Sequence, residues 1–196
     1  MKDIHIVSTL AALLIIALAV TIVPSPYTVA LNYSYVTHDT LGSTSVNYTE
    51  YWTYRLDGSK NGVLTIIAYK TLRSYVIRVN ASSGLVIGAY YIQPPHYNIT
   101  FGERYYEPVV LLSAPAQGKA IVLLNSIRFS WKREGNYYLL YNYSVEHQQN
   151  YTLVQRYIFL FSRINGYLVN GTTYYSYTSK SENYTLNNQN ILVSVN

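Results

Sequence analysis

Few side chains in this sequence could carry reaction chemistry, and they are scattered. Beyond the first thirty residues there are three histidines, His38, His96 and His147. His38 adjoins Asp39 and His147 adjoins Glu146. Neighbours on a strand point to opposite faces, so neither pair can share a proton or a metal. Three histidines without ligand spacing predict no metal site. Glu103 and Glu107 are the acids close enough to suggest paired-carboxylate chemistry. They fall in a proline-interrupted stretch, Glu107 directly before Pro108, where solvated loop carboxylates are expected. There is no nucleophile elbow, no P-loop and no dinucleotide-binding glycine pattern. The absence of cysteine removes thiol catalysis, cysteine zinc sites and iron–sulfur ligation. The sequence thus predicts a non-enzymatic protein with no catalytic residue, metal or cofactor.

Asparagine offers a different chemistry. The acceptor pattern Asn-x-Ser/Thr occurs at Asn32, Asn47, Asn80, Asn98, Asn142, Asn150, Asn170 and Asn183. Composition alone predicts about three such sites beyond residue 30, so eight is an excess. Five share the form Asn-Tyr-Ser/Thr. Strand alternation offers a check, because a glycan needs a solvent-facing position. Asn47 falls opposite the set Tyr48, Trp52, Tyr54 and Leu56, and Asn80 shares a face with Arg78. Asn142 lies with Ser144 and Glu146, opposite Leu139, Tyr141, Tyr143 and Val145. All three positions read as the wet side of a strand.

Tyrosine is the other abundant group, with 24 residues. Trp52 and Trp131, with tyrosine pairs such as Tyr90–Tyr91, could line a platform for a sugar or another ligand. Tyrosine at alternating strand positions also serves ordinary sheet packing. Both uses stay open at this level.

The elements that must position these groups read as strands. Short β-branched and aromatic runs cover Val63–Lys70, Ser74–Asn80 and Leu85–Gln93, separated by residues 57–62 and 80–84, both rich in turn formers. Between Ile127 and Lys132, Ile127, Phe129 and Trp131 alternate with Arg128, Ser130 and Lys132. Further strands follow over Tyr151–Ser162, from Gly166 to Tyr177, and from Tyr184 to Val195. Some ten strands with hairpin links predict an all-β fold, an antiparallel meander forming a sandwich or a curved half-barrel. Pro94, Pro95, Pro108, Pro115 and Gly118 interrupt the pattern. They predict a long crossing loop over 94–118, with a helical turn near Val109–Ser113.

Ahead of the strands, Ile6–Val23 runs for eighteen residues without a charge, glycine or proline, and Pro24 and Pro26 end it. This predicts a hydrophobic leader helix. It is either a signal peptide cleaved after Ala30 or a retained membrane anchor using residues 6–23. Either option makes residues 31–196 one extracellular domain. Charged residues are only 12% of the chain, against the usual quarter. The net charge of +5 comes from scarce acids, and the longest basic run is Lys132–Arg133, so no nucleic-acid partner is predicted.

The leader, the cysteine-free strands rich in Tyr, Asn and Thr, and the dense Asn-Tyr-Ser/Thr sequons together resemble exported cell-surface proteins of thermophilic archaea. Some of these are subunits of donor-strand filaments. The resemblance implies self-assembly, with residues 31–37 as the donated strand, in which Leu31, Tyr33 and Tyr35 alternate with Asn32 and Ser34. The functional expectation is a structural or adhesive cell-surface glycoprotein. The alternative is a secreted module that binds a sugar or lipid on an aromatic-lined face.

Overall fold

A computed structural model describes residues 28–58, 62–72, 74–93, 108–123 and 127–196. The apolar run 6–23, His96, Asn98, Glu103 and Glu107 lie outside them. Among the described residues there are eleven strands: β1 (Val29–Leu41), β2 (Thr44–Gly58), β3 (Val63–Tyr69), β4 (Tyr75–Asn80), β5 (Val86–Tyr91), β6 (Ile121–Leu123), β7 (Ile127–Glu134), β8 (Tyr137–His147), β9 (Tyr151–Ser162), β10 (Leu168–Ser179) and β11 (Asn183–Val195). All belong to one open antiparallel sheet, ordered β5-β4-β3-β2-β1-β11-β10-β9-β8-β7-β6. Of the two expected forms, the curved open sheet is found rather than a sandwich. Two meanders run outward from the centre, and the first and last strands join them.

Beside the middle strand β11, strand β1 therefore lies in the interior of the sheet. It pairs with β2 from Val29↔Leu56 to Leu41↔Thr44 and with β11 from Leu31↔Val195 to Leu41↔Tyr184. The tight β1–β2 turn needs a residue with positive φ, and Gly42 supplies it at 58°. Residues 31–37, read above as a strand for donation, thus have both edges filled within their own chain. Assembly through them would proceed by exchange with a neighbour's β1. Val29 and Ala30 already belong to β1, so the leader as drawn overlaps the sheet by two residues.

The register assigns every strand residue to a face. Leu31, Tyr33, Tyr54, Leu56, Leu64, Ile66, Ile77 and Val79 point inward from one wing. Phe129, Leu140, Phe159, Phe161 and Leu168 point inward from the other, and all join a single buried cluster. Two wings of one sheet share a core only when the sheet curves, and residues 109–111 of the connection from β5 to β6 pack into the concavity. Strands β5 and β6 are the two edges of the sheet, and the described part of the connection inserts Val109, Val110 and Leu111 into the core. Of the expected crossing loop over 94–118, residues 94–107 lie outside the described residues. Instead of a helix over Val109–Ser113 there is a turn at Val109, a β-bridge from Val110 to Tyr167 and a bend at Leu112–Ser113. The Leu111 N–H donates to the Gly166 carbonyl at 2.8 Å, and the Leu168 N–H donates to the Val109 carbonyl at 2.9 Å. Two β-branched valines beside an unpaired strand end favour that ladder over a helical turn.

Gly171 shows how tightly the inner face packs. A Cβ there would lie 3.0 Å from Cδ1 of Phe159 and 3.4 Å from Cδ2 of Leu168. We expect Gly171→Val to lower stability by about 1–3 kcal/mol through overpacking. The check is the urea unfolding midpoint, and an unchanged midpoint would mean that Phe159 has room to move.

Candidate functional site

The inner face has two halves of different character. Strands β3 and β7 meet their neighbours only over Thr53–Gly58 and Tyr137–Tyr141, on the half where the 108–120 strap lies. Beyond them the sheet narrows to six strands, β2-β1-β11-β10-β9-β8. On this open half the inward positions follow from the ladders. Strand β1 contributes Tyr35, Thr37 and Asp39, and β2 contributes Tyr48 and Glu50. Strand β11 gives Tyr184, Leu186, Asn188 and Asn190, and β10 gives Thr173, Tyr175 and Tyr177. From β9 and β8 come Tyr151, Gln155, Ser144 and Glu146. Alternation that buries leucine and phenylalanine on the strap half here delivers amides, hydroxyls and tyrosines.

A row of oxygens forms the floor. Thr37 is 1% exposed. Its Oγ1, with Oδ1 of Asp39, Asn188 and Asn190, is buried and has no hydrogen-bond partner among the described residues. The four lie on the two central strands, with Thr37 directly opposite Asn188 and Asn190 opposite Tyr35. A buried oxygen left without a donor costs about 1–3 kcal/mol, so four in one row are a feature to explain rather than a chance result.

Tyrosines wall this floor. The Tyr175 and Tyr184 rings meet edge to face with centroids 6.2 Å apart, and Tyr151 and Tyr177 lie 5.3 Å apart. Burial raises the phenol pKa of Tyr184, and the nearby Asp39 carboxylate, Tyr48 and Tyr175 add to it. The Tyr151 phenol is raised in the same direction by desolvation and by Glu146, whose carboxylate accepts its O–H at 3.3 Å.

The four sequence-derived ligand residues do not converge. Trp52 stacks on Tyr35 at 3.8 Å, and Lys70 Nζ stands 4.1 Å from its ring centre. Two groups that close must take opposite faces, so neither face of the indole is left for a sugar. Its N–H donates to Glu50 at 2.9 Å. Trp131 ties down the strap, donating its N–H to the Lys119 carbonyl at 2.9 Å. It is six strands from Trp52, about 29 Å along the sheet. Tyr91 points inward beside Tyr75, and Tyr90 points outward from the edge strand.

The sequons spread differently. Asn32, Asn47, Asn170 and Asn183 lie on the outer face, and Asn80 and Asn150 lie at turns. Asn142 is a correction. It faces inward beside Leu140, paired with Tyr157, and its amide donates to the Arg128 carbonyl at 2.9 Å. Hydrophobicity misassigned the faces of β8 because Tyr141 and Tyr143 sit on the solvent side, Tyr143 at 66% exposure. Asn32 is also engaged, donating to Ser194 Oγ at 2.9 Å and accepting from Thr53 Oγ1 at 2.7 Å.

His38 and Asp39 do point to opposite faces. His38 contacts Asn47 and Thr40 on the outside, and His147 meets Thr152 at 3.1 Å. Among the described residues no three His, Asp or Glu side chains gather as a metal site. A separate cavity of about 320 Å³ lies where the strap meets the β4–β5 turn and β6, lined by Ser82, Gly84, Leu112, Pro115 and Ile121. Sequence reasoning missed the polar floor. Thr37, Asn188 and Asn190 look like wet strand positions until the β1–β11 register turns them inward.

No protein-family model matches this sequence, and no curated protein does. Among solved structures, the chain is similar to a domain from Vibrio parahaemolyticus named for outer membrane lipoprotein sorting. Identity is 10% and the TM-score 0.39, over 89% of this chain and 87% of that one. Likeness at that level transfers neither a site nor a function.

Proposed function

We propose that this chain is an extracellular, non-enzymatic β-sheet module that binds a carbohydrate on the inner face of its open half. One observation carries the reading: four buried oxygens without donors, walled by tyrosines, on a face the strap leaves uncovered. A polyol supplies the O–H donors these oxygens lack, and its C–H faces suit tyrosine rings. An acyl chain would leave every one of them dry, which disfavours the lipid alternative. The rings over the floor are half-buried, and rotation of such side chains is fast, so the floor can be reached by moving them. The extracellular placement rests on the leader and on the excess of sequons. Six of the seven described sequons lie on the outer face or at turns, which would leave the inner face free of the protein's own glycans. An adhesive role at the cell surface fits both properties.

The test is calorimetric titration of the full chain with neutral and charged oligosaccharides, alongside Thr37→Val and Asn188→Leu. Each variant deletes a floor oxygen at similar volume. Affinity is expected to fall at least tenfold, about 1.4 kcal/mol. The unfolding midpoint of the free protein should hold or rise, because an unpaired buried group is gone. Variants that bind as tightly as the parent would overturn the reading. Large assemblies that dissociate when β1 is exchanged would point instead to the filament role.

A further inference from the structure

We infer that the ligand carries a protonated amine, and that Asp39, set among Tyr48, Tyr175 and Tyr184, is its seat. This deepens the carbohydrate reading, on which it rests, and names amino sugars as the class.

Charge placement is the first support. The chain is net basic at +5 with nine acids. Six of these acids fall among the described residues, and three, Asp39, Glu50 and Glu146, point inward on the open half. The ladders put no described Lys or Arg beside Asp39 on that surface. Arg55, Arg128 and Arg156 point outward, and Lys70 lies back against Trp52, Tyr54 and Tyr75. A basic protein has thus gathered half its described acids on this face, with Lys70 at its border over Trp52.

The second support is what each acid already holds. Glu50 accepts the Trp52 N–H, and Glu146 accepts from Tyr151 and from the Gln148 amide at 2.9 Å. Asp39 has no hydrogen bond or ion pair among the described residues, and its Oδ1 is buried. A buried carboxylate oxygen without a donor needs a charged partner more than a neutral hydroxyl does.

The third support is the surrounding shape. The ladders put Leu186 and Val46 directly across from Asp39. Tyr184, Asn188 and Tyr48 fill the adjacent diagonal positions, and Tyr175 stands behind Leu186. Diagonal neighbours on one sheet face are about 7–8 Å apart, within reach of aromatic side chains. Angled tyrosines around a carboxylate hold an ammonium by cation–π attraction and a charge-assisted hydrogen bond together. The remaining floor oxygens, on Thr37 and Asn188, then take hydroxyls of the same sugar ring.

Titrating the full chain at low ionic strength with four probes tests this. They are a glucosamine tetramer, its fully N-acetylated form, the neutral glucose tetramer cellotetraose, and a pentalysine peptide. The glucosamine tetramer is expected to bind at least tenfold tighter than the acetylated and neutral tetramers. Asp39→Asn should abolish that preference, so that the glucosamine tetramer and cellotetraose bind the variant with equal affinity. Equal affinity for the amine and neutral tetramers, or an Asp39→Asn variant that keeps the preference, overturns the inference and leaves the carbohydrate reading standing. Pentalysine binding as tightly as the glucosamine tetramer also overturns it, since the face would then read charge alone. No tetramer bound at all removes both.

Discussion

Val110→Asp is expected to lower stability by at least about 4 kcal/mol, which for a domain of ordinary stability is a large share of the total. Val110 is fully buried near the start of the 108–120 strap. Its neighbours Val109 and Leu111 make the two backbone hydrogen bonds that fix the strap to the turn before β10. A carboxylate at this point would be set into the buried apolar cluster to which Val110 belongs. Desolvating an unpaired charge costs more than the strap's docking can offset, so the strap should detach rather than carry the charge inward. Detachment uncovers the core of both wings at once. The expected result is a large fall in the urea midpoint with protease cleavage appearing within 108–120. Tyr143→Ala, on the exposed outer face, should stay within about 0.5 kcal/mol and serves as the control. A Val110→Asp protein with an unchanged midpoint and an uncut strap would show that the strap contributes little to the fold.

The strap also marks where sequence reasoning stops. Strand identity was largely legible: the run Tyr151–Ser162 is β9 to the residue, and β3, β4 and β5 fall within their expected stretches. Period-two alternation is a local signal and was read correctly where the two faces differ sharply. That is so for Phe129 and Trp131 against Arg128 and Ser130, and for Tyr54 and Leu56 against Arg55. It failed on β8, where tyrosines occupy the solvent face and a leucine and an asparagine share the inner one. Tyrosine carries both an apolar ring and a polar tip, so hydropathy cannot assign it to a side.

Pairing between the chain's two outer strands was not legible at all. Leu31 and Val195 are joined by a register that no local pattern encodes. That register decides the candidate site, because it sets Thr37 opposite Asn188 and turns Asp39 toward Tyr184. A polar residue in a strand gives the same sequence signal whether it faces water or a ligand. Only the curvature of the sheet, set by core residues far along the chain, separates the two.

The interior place of β1 has a consequence at alkaline pH, where the second large effect is expected. Tyr33 is 1% exposed and donates its O–H to the Leu168 carbonyl at 2.7 Å. Burial pushes its phenol pKa far above the ordinary value near 10, and Tyr167 adds to the rise. A raised folded-state pKa stabilises the fold fully below the unfolded pKa. Above about pH 10 the unfolded chain gains free energy by ionising while the folded chain cannot. Stability should therefore fall by about 1.4 kcal/mol per pH unit from this one group, or about 2 kcal/mol by pH 11.5. Tyr167, whose pKa burial also raises, steepens the decline in the parent and the variant alike. Tyr33→Phe removes the hydrogen bond and leaves a carbonyl short of a donor, costing about 1–2 kcal/mol at pH 7. The variant no longer has the group that titrates, so its stability should fall less steeply from pH 10 upward. The two curves should converge near pH 11 and then cross. Urea midpoints of both proteins at pH 7, 10, 11 and 11.5 read the difference directly, since every other tyrosine cancels. Parallel curves would mean that Tyr33 ionises in place, and that β1 is not held in the buried interior of the sheet where its two ladders put it.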